Sequence, residues 1–237
     1  MPRTSLIFIL FLFVAGCEFK GKPLTVYEKN LISKNDISPI PEYSDNTLRI
    51  ATLNLAHGRK DSFSQFFLNE QTIQSNLDDI ADVLSKHKPH VVALQEADSL
   101  DTFNHVKYLA SQSNYPWVTQ VSNVDFLSFS YGTALLSVFP ISESVKHTFA
   151  PSPPTLKKGF VLSQLELPLS DKSTTRKVDV ISVHLDFLSR SVREKQIKEI
   201  LDILDLRNNP TIIMGDFNSE WLKKNSAITQ LLKTTQF

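Results

Sequence analysis

A single cysteine, Cys17, is all the sequence contains, so no internal disulfide can staple the fold in any redox compartment. Net charge is also missing: 25 Lys and Arg balance 25 Asp and Glu, which leaves no global field to gather polyanions. That balance argues against a non-specific nucleic-acid coat protein and leaves open only a local basic rim around a site. There is no internal repeat and no low-complexity tract. What is present is 237 residues, 41% hydrophobic and 10% aromatic, enough for one sizeable core and pointing to one domain plus a leader.

The leader is the first ordered signal. "MPRTSLIFILFLFVAGC" places Arg3 ahead of an apolar stretch from Leu6 to Ala15, then small residues before Cys17. The stretch is too short to span a bilayer comfortably and has signal-peptide architecture. "VAGC" resembles the lipobox of bacterial lipoproteins, which implies lipidation of Cys17 as the mature N-terminus; an ordinary signal peptide is the other reading. By the same resemblance Glu18, rather than Asp, after the cysteine favours the outer membrane in a cell with two membranes. The expected organisation is a signal peptide over 1–17, a polar tether over 18–46 interrupted by Pro23, Pro39 and Pro41, and a domain over 47–237.

Within that domain strands and helices alternate. "TLRIATLNLAHG" carries apolar residues on both faces and reads as a strand buried on both sides. "QTIQSNLDDIADVLSKHKP" sets Ile73, Leu77, Ile80, Ala81 and Leu84 on one helical face and stops at Pro89. "HVVALQEAD" is a strand delivering Glu96 at its end, and a second helix is expected over Phe103–Gln112. Further strands are expected at 131–137, 160–167 and 177–185, then a long helix capped by Ser189 or Ser191, then "PTIIMGDFN". Several strands follow one another directly, so the pattern suggests a mixed sheet pair flanked by helices rather than an all-parallel sheet.

Buried-looking runs end in polar residues: Asn54 after "IATL", Glu96 after "VVALQ", His184 after "DVISV", and Asp216 with Asn218 after "TIIMG". Singly, each has an ordinary use: a turn cap for Asn54, a surface pair with a lysine for Glu96, a satisfied rim histidine for His184, a strand-closing turn for "GDFN". Together they form an oxygen-rich set at strand ends. A carboxylate there is costly unless paired, hydrogen-bonded or bound to a cation, and oxygen donors without sulfur suit Mg2+ or Mn2+. Magnesium binds through one or two carboxylates plus substrate phosphate, so the chemistry indicated is hydrolysis of a phosphate ester.

"LRIATLNL", "VVALQEAD", "YGTALLS", "VISVHLDFLSRSVREKQ" and "PTIIMGDFNS" resemble, in order, motifs of the endonuclease/exonuclease/phosphatase superfamily. Its members include pancreatic-type deoxyribonuclease, abasic-site endonuclease, neutral sphingomyelinase and inositol polyphosphate phosphatases. The resemblance runs from about residue 46 to 220. It implies a four-layer α/β sandwich of two mixed sheets flanked by helices, deoxyribonuclease I-like. It also implies roles: Glu96 as main Mg2+ (or Mn2+) ligand with Asn54, and Asp216 orienting or deprotonating the attacking water. Asn218 would hold that carboxylate or a phosphate oxygen, and His184 would donate to a non-bridging oxygen in the transition state. Tyr131 and Arg193 are weaker candidates for the phosphate rim, and Gln95 for support beside Glu96.

Members of the superfamily also carry a final strand ending in an Asp-His pair after the "GDFN" motif. No Asp-His dipeptide occurs in this chain, and "EWLKKNSAITQLLKTTQF" is expected to form a loop and short helix. The expectation is therefore a domain lacking the C-terminal strand or strands, with uncovered apolar edges. His57 is the one histidine placed to substitute, against the stronger expectation that "NLAHG" is a turn with a solvated histidine. Lys157 and Lys158 in "LKKG" are expected in a solvated loop rather than on a phosphate. Two functions follow: a lipid-anchored, metal-dependent phosphoesterase of the cell envelope, or a non-catalytic phosphate-ligand-binding lipoprotein or inactive fragment. Substrates fitting the first are nucleic acid, a phospholipid head group or a small phosphodiester; no protein partner is indicated.

Overall fold

The structure, a computed structural model, describes residues 28–29, 47–60, 68–126, 129–169, 174–220, 223 and 226–234. The leader, Cys17 and most of the tether lie outside the described residues. In chain order the elements are β1 (Glu28–Lys29), β2 (Ile50–Asn54), a 3-10 turn (Ala56–Gly58), α1 (Glu70–His87), β3 (Val91–Leu100), α2 (His105–Gln112), β4 (Trp117–Phe126) and β5 (Phe129–Ser137). They continue with β6 (Ile141–Thr148), β7 (Gly159–Pro168), β8 (Thr175–His184), α3 (Arg190–Leu204), β9 (Thr211–Asp216) and α4 (Ala227–Thr234).

The helices form where period and caps agree. In α1, Ile73, Leu77, Ala81 and Leu84 recur at helical spacing and are buried, while the Asn69 side chain accepts the N–H of Thr72 at the start. Lys88, left-handed at φ 46°, closes the other end by donating to the Leu84 carbonyl. For α3 the cap is Ser189, not Ser191. Its buried Ile197 and Ile200 face sheet B together with Ala227 and Leu231 of α4.

Two mixed sheets pack face to face. Sheet A has the order β1-β4-β5-β3-β2 and sheet B the order β6-β7-β8-β9. Val91–Leu94 of β3 are wholly buried because sheet B covers one face and α1 with α2 the other, in one core with Val106, Leu109, Val161 and Val180. The layers are therefore helix, sheet, sheet, helix. Each sheet contains one parallel pair joined through a helix, β2-α1-β3 and β8-α3-β9. Each pair is prolonged by one more bond, Leu55 N–H to the Gln95 carbonyl at 2.8 Å and Leu185 N–H to the Asp216 carbonyl at 2.9 Å.

The expected mixed sheet pair is present, with local differences. β2 is not buried on both sides; among the described residues it is an edge strand, with Ile50 47% and Leu53 37% exposed. β3 does not end at Glu96 but continues to Leu100 through a bulge between Gln95 and Ala97. β4 and β6, absent from the sequence reading, complete the sheets on the far side, and β1 pairs with β4 inside the expected tether.

Candidate active site

The parallel pairs bring their C-terminal ends together, the usual place for a ligand in α/β architecture. Edge strands β2 and β9 each finish in a side chain that closes its own turn. Asn54 Oδ1 accepts from the Ala56 N–H at 2.8 Å, and Asp216 Oδ1 from the Asn218 N–H at 3.0 Å. The two then join across the sheets, Asn54 Nδ2 donating to Asp216 Oδ2 at 3.1 Å. Between them, His184 at the end of β8 puts Nε2 3.9 Å from Glu96 Oε1 and 3.8 Å from Asp216 Oδ2. Glu96 and Asp216 thus share one rim and flank one imidazole. Beneath it, Gln95 Nε2 donates to Ser182 Oγ at 3.0 Å, and Ser182 Oγ to the Leu94 carbonyl at 2.9 Å, fastening β3 to β8.

Three further side chains stand in the site that the sequence reading put elsewhere or passed over. Lys158 is not in a solvated loop. It is 7% exposed, donates from Nζ to His184 Nε2 at 3.2 Å and lies 5.8 Å from the centre of the Tyr131 ring. His57 is not solvated either: Nε2 is 3.3 Å from Glu96 Oε2 and Nδ1 is 2.8 Å from Asp98 Oδ1. Its ring meets Tyr131 edge-on at 5.3 Å. Asp98, two residues past Glu96 on the far side of the bulge, was not singled out at all. The register explains the meeting: β2 and β3 are parallel with Asn54 opposite Gln95, so residues just past Asn54 lie beside residues just past Gln95.

Asn218 and Arg193 each make a contact with the loop after β8. The Asn218 amide does not hold the carboxylate; Nδ2 donates to the Leu185 carbonyl at 2.9 Å, and the main-chain N–H serves Asp216 instead. Arg193 Nη1 donates to the Asp186 carbonyl at 2.9 Å, so the guanidinium braces the loop after β8. It lines, with Phe187, Asn218 and Lys223, a cleft of about 630 Å³ beside the site. Asp186 is the anchor of this region. Its oxygens accept from the Leu188 and Ser189 N–H groups at 2.9 and 2.7 Å and from the Ser152 and Thr155 hydroxyls at 3.0 and 2.6 Å. The segment that leads to Lys158 is thereby tied to the end of β8.

Electrostatics assign protonation states. Burial, then the Lys158 charge, hold His184 down to about 4, so its imidazole is neutral at pH 7 and its Nε2 accepts from Lys158. Burial lowers Lys158 itself, opposed by the charges of Glu96, Asp216 and Asp186. Tyr131 is pushed up to about 12 by burial and the charges of Glu96 and Asp98, and stays a hydroxyl. Burial raises Asp98, against the hydrogen bond and charge of His57. For Asp186 the effect of burial is outweighed by its four donors, which leave it below the usual carboxylate range.

The backbone is bent to reach this arrangement. Of seven non-glycine residues at positive φ among the described residues, four belong to the site: Ala56, His57, Glu96 and Asn218. Such conformations cost about 1–3 kcal/mol each and persist where surrounding contacts enforce them.

Glu96 is the residue best suited to a cation. It reaches solvent, its close contacts are the two imidazoles, and no amide or hydroxyl among the described residues donates to it. A carboxylate left without donors at the end of a buried run fits a hard divalent ion, with the Asn54 amide nearby. Among the described residues no three His, Cys, Asp or Glu side chains are grouped as a complete metal cage. That sparse set is compatible with an ion such as Mg2+, which keeps several of its waters.

Comparison with solved structures finds the same fold. A family protein from Leptotrichia buccalis is 19% identical with a TM-score of 0.58, over 79% of this chain and 72% of the other. A functionally unknown conserved protein from Enterococcus faecalis is 17% identical with a TM-score of 0.61 over the same shares. A mannosyl-6-phosphatase from Bacteroides thetaiotaomicron is 14% identical with a TM-score of 0.57, over 79% and 71%. A search of curated proteins returns no match. The sequence profile of one family matches residues 51–229, a span that starts in β2, ends in α4 and takes in every side chain of the site. The chain belongs to the Endonuclease/Exonuclease/phosphatase family.

Proposed function

We propose that this protein is a divalent-metal-dependent hydrolase of phosphate esters, held to a membrane of the cell envelope through lipidated Cys17. Membership of the family supports a phosphoesterase-type hydrolase. The observation that carries the reading is the convergence of Glu96, His184, Asp216 and the buried Lys158 where both parallel pairs end.

The residues divide the work of phosphoryl transfer, which is chiefly positioning and charge neutralisation. Glu96, with Asn54, would hold Mg2+ or Mn2+, which when bound supplies Lewis-acid stabilisation of phosphate oxygens. Asp216 orients the attacking water. Each of its oxygens already accepts one N–H, from Asn54 and from Asn218, which fixes the carboxylate plane and leaves lone pairs facing the cleft. Lys158 places an ammonium, poorly hydrated because buried, where equatorial oxygens gain charge. Neutral His184 accepts from that ammonium at Nε2, which keeps the Lys158 charge within reach of both carboxylates.

The test is a panel of plasmid DNA, bis-p-nitrophenyl phosphate, sphingomyelin and inositol and sugar phosphates, assayed with Mg2+, with Mn2+ and with EDTA. Cleavage of at least one substrate that EDTA abolishes, and that Glu96→Gln reduces at least about a thousandfold, is expected. A chain that binds these compounds without hydrolysing any would overturn the enzyme reading. Globomycin-sensitive processing and labelling by a fatty-acid analogue, both lost in Cys17→Ser, test the anchor.

A further inference from the structure

We propose that His57, oriented by Asp98, is itself a ligand of the divalent cation, so that the site is a mixed nitrogen and oxygen one and prefers Mn2+ to Mg2+. The inference rests on the metal-dependent reading above and concerns which atoms of this chain meet the ion.

The first support is the way the chain presents His57. Ala56, His57 and Gly58 all have positive φ, at 46°, 58° and 71°. Three such residues in succession curl the segment after β2 back upon the end of β3, and the ring comes to rest against Tyr131 with its side chain 17% exposed. The curl turns the imidazole toward Glu96 and Asp98 instead of leaving it in solvent.

The second support is the pair of atoms the ring faces. Nδ1 is 2.8 Å from Asp98 Oδ1, and the Asp98 side chain is 3% exposed. A carboxylate in that place accepts, so a ring carrying one proton holds it on Nδ1 and turns the lone pair of Nε2 outward. Nε2 then faces Glu96 Oε2 at 3.3 Å. Two lone-pair atoms at that distance repel unless a positive charge lies between or beside them. Donors about 2.1 Å from a shared ion and at right angles to one another stand about 3.0 Å apart, close to the separation observed. A carboxylate that holds one imidazole nitrogen while the other meets a metal is a recurring arrangement, and it fixes both tautomer and ring orientation.

Donor chemistry then sets the preference. Carboxylate, carbonyl and water suit Mg2+, whereas imidazole shifts a site toward the transition metals. The alternative is an imidazolium bridging Glu96 and Asp98, with protons on both nitrogens and none bound to an ion.

Electron spin echo measurements on the full chain loaded with Mn2+ separate the two, because a directly bound imidazole couples its nitrogen to the manganese spin. The expected result is nitrogen coupling in the native chain that disappears in His57→Gln and persists in His184→Gln. Mn2+ titrations followed by the free-ion signal should show affinity falling about 10- to 100-fold in His57→Gln and in Asp98→Asn. The native chain should also bind Mn2+ at least about tenfold more tightly than Mg2+. Native Mn2+-loaded chain without nitrogen coupling overturns the proposal even if no variant folds, and so does coupling that is lost in His184→Gln but kept in His57→Gln. If EDTA-sensitive hydrolysis is present and the coupling absent, only this inference fails; if the native chain binds no divalent ion at all, the metal-dependent reading fails with it.

Discussion

Lys158 shows how much of this site depends on single side chains. Its ammonium is buried against a neutral imidazole and opposite the Glu96, Asp216 and Asp186 charges, so Lys158→Met should remove the positive charge that the chain itself sets between these carboxylates and a phosphate. The expected outcome is a kcat lower by about 10²- to 10³-fold, with a melting temperature equal to or above the native value, since a desolvated charge has been removed; steady-state kinetics beside a thermal melt checks both. His105 illustrates the opposite case, a buried side chain with no charge to offer. Among the described residues neither ring nitrogen has a hydrogen-bond partner, and burial followed by the His57 charge lowers it to about 4. Its folded pKa lies below the unfolded 6.5, so the folded chain binds fewer protons. That stability is complete above pH 6.5 and is lost as the pH falls toward 4, by on the order of 3 kcal/mol. Urea unfolding at pH 7 and 4.5 should show the loss, and His105→Leu should make the slope shallower, the remainder coming from His90 and His184, which are also lowered; an unchanged slope would refute the assignment. Site residues at the ends of apolar runs, Asn54, Glu96, His184 and Asp216, could be picked out of the sequence because a polar group there has few inexpensive uses. Lys158 and His57 could not be given the same weight, because "LKKG" and "NLAHG" read more readily as solvated turns until the folded sheets close over them, and Asp98 was passed over because its place beside His57 depends on the β2–β3 register.

At the scale of elements the same difference reappears. Strands with unbroken apolar runs, β3, β7, β8 and β9, are legible because helices or the other sheet cover both faces. β4 and β6 are not, because their inward positions include hydroxyls that satisfy one another: Thr119 Oγ1 and Ser144 Oγ lie 2.9 Å apart, as do Ser144 Oγ and Ser163 Oγ. A core strand whose inward positions include Ser and Thr loses its alternation in the sequence while keeping its place in the sheet. β2 errs the other way, since an apolar segment proved to be an exposed edge. The join of β8 and β9 is close. Gly215 has φ 146°, and a Cβ there would stand 2.0 Å from the Val183 carbonyl oxygen. Gly215→Ala must therefore push β9 away from β8 and carry Asp216 with it. A loss of about 2–4 kcal/mol in urea unfolding is expected, together with a fall in activity larger than the stability loss explains at temperatures where the variant is folded. Native-like activity in a folded Gly215→Ala chain would show that the β8–β9 spacing does not position the carboxylate.

For the molecule as a whole, the consequence of two face-to-face sheets is that the site belongs to neither. Asn54 and Glu96 come from sheet A, His184 and Asp216 from sheet B, and the Asn54–Asp216 and Gln95–Ser182 bonds cross between them. A cation held at Glu96 would sit over that seam and bind the folded chain but not the unfolded one, in which the ligands are scattered. Stability should then rise with the ion by mass action, by about 2.7 kcal/mol at a free concentration one hundred times the dissociation constant. For a domain of this size that corresponds to a melting temperature higher by about 5–10 °C. Differential scanning calorimetry across a Mn2+ series, with EDTA as the zero point, should give a midpoint that climbs with the logarithm of concentration once the site is saturated. Glu96→Gln should hold the midpoint near its EDTA value throughout, because the carboxylate it removes is one whose oxygens receive no amide or hydroxyl donor and whose loss leaves the core intact. A Glu96→Gln chain whose midpoint climbs as steeply as the native one would place the ion elsewhere, and the site between the sheets would need another account of its donor-poor carboxylate.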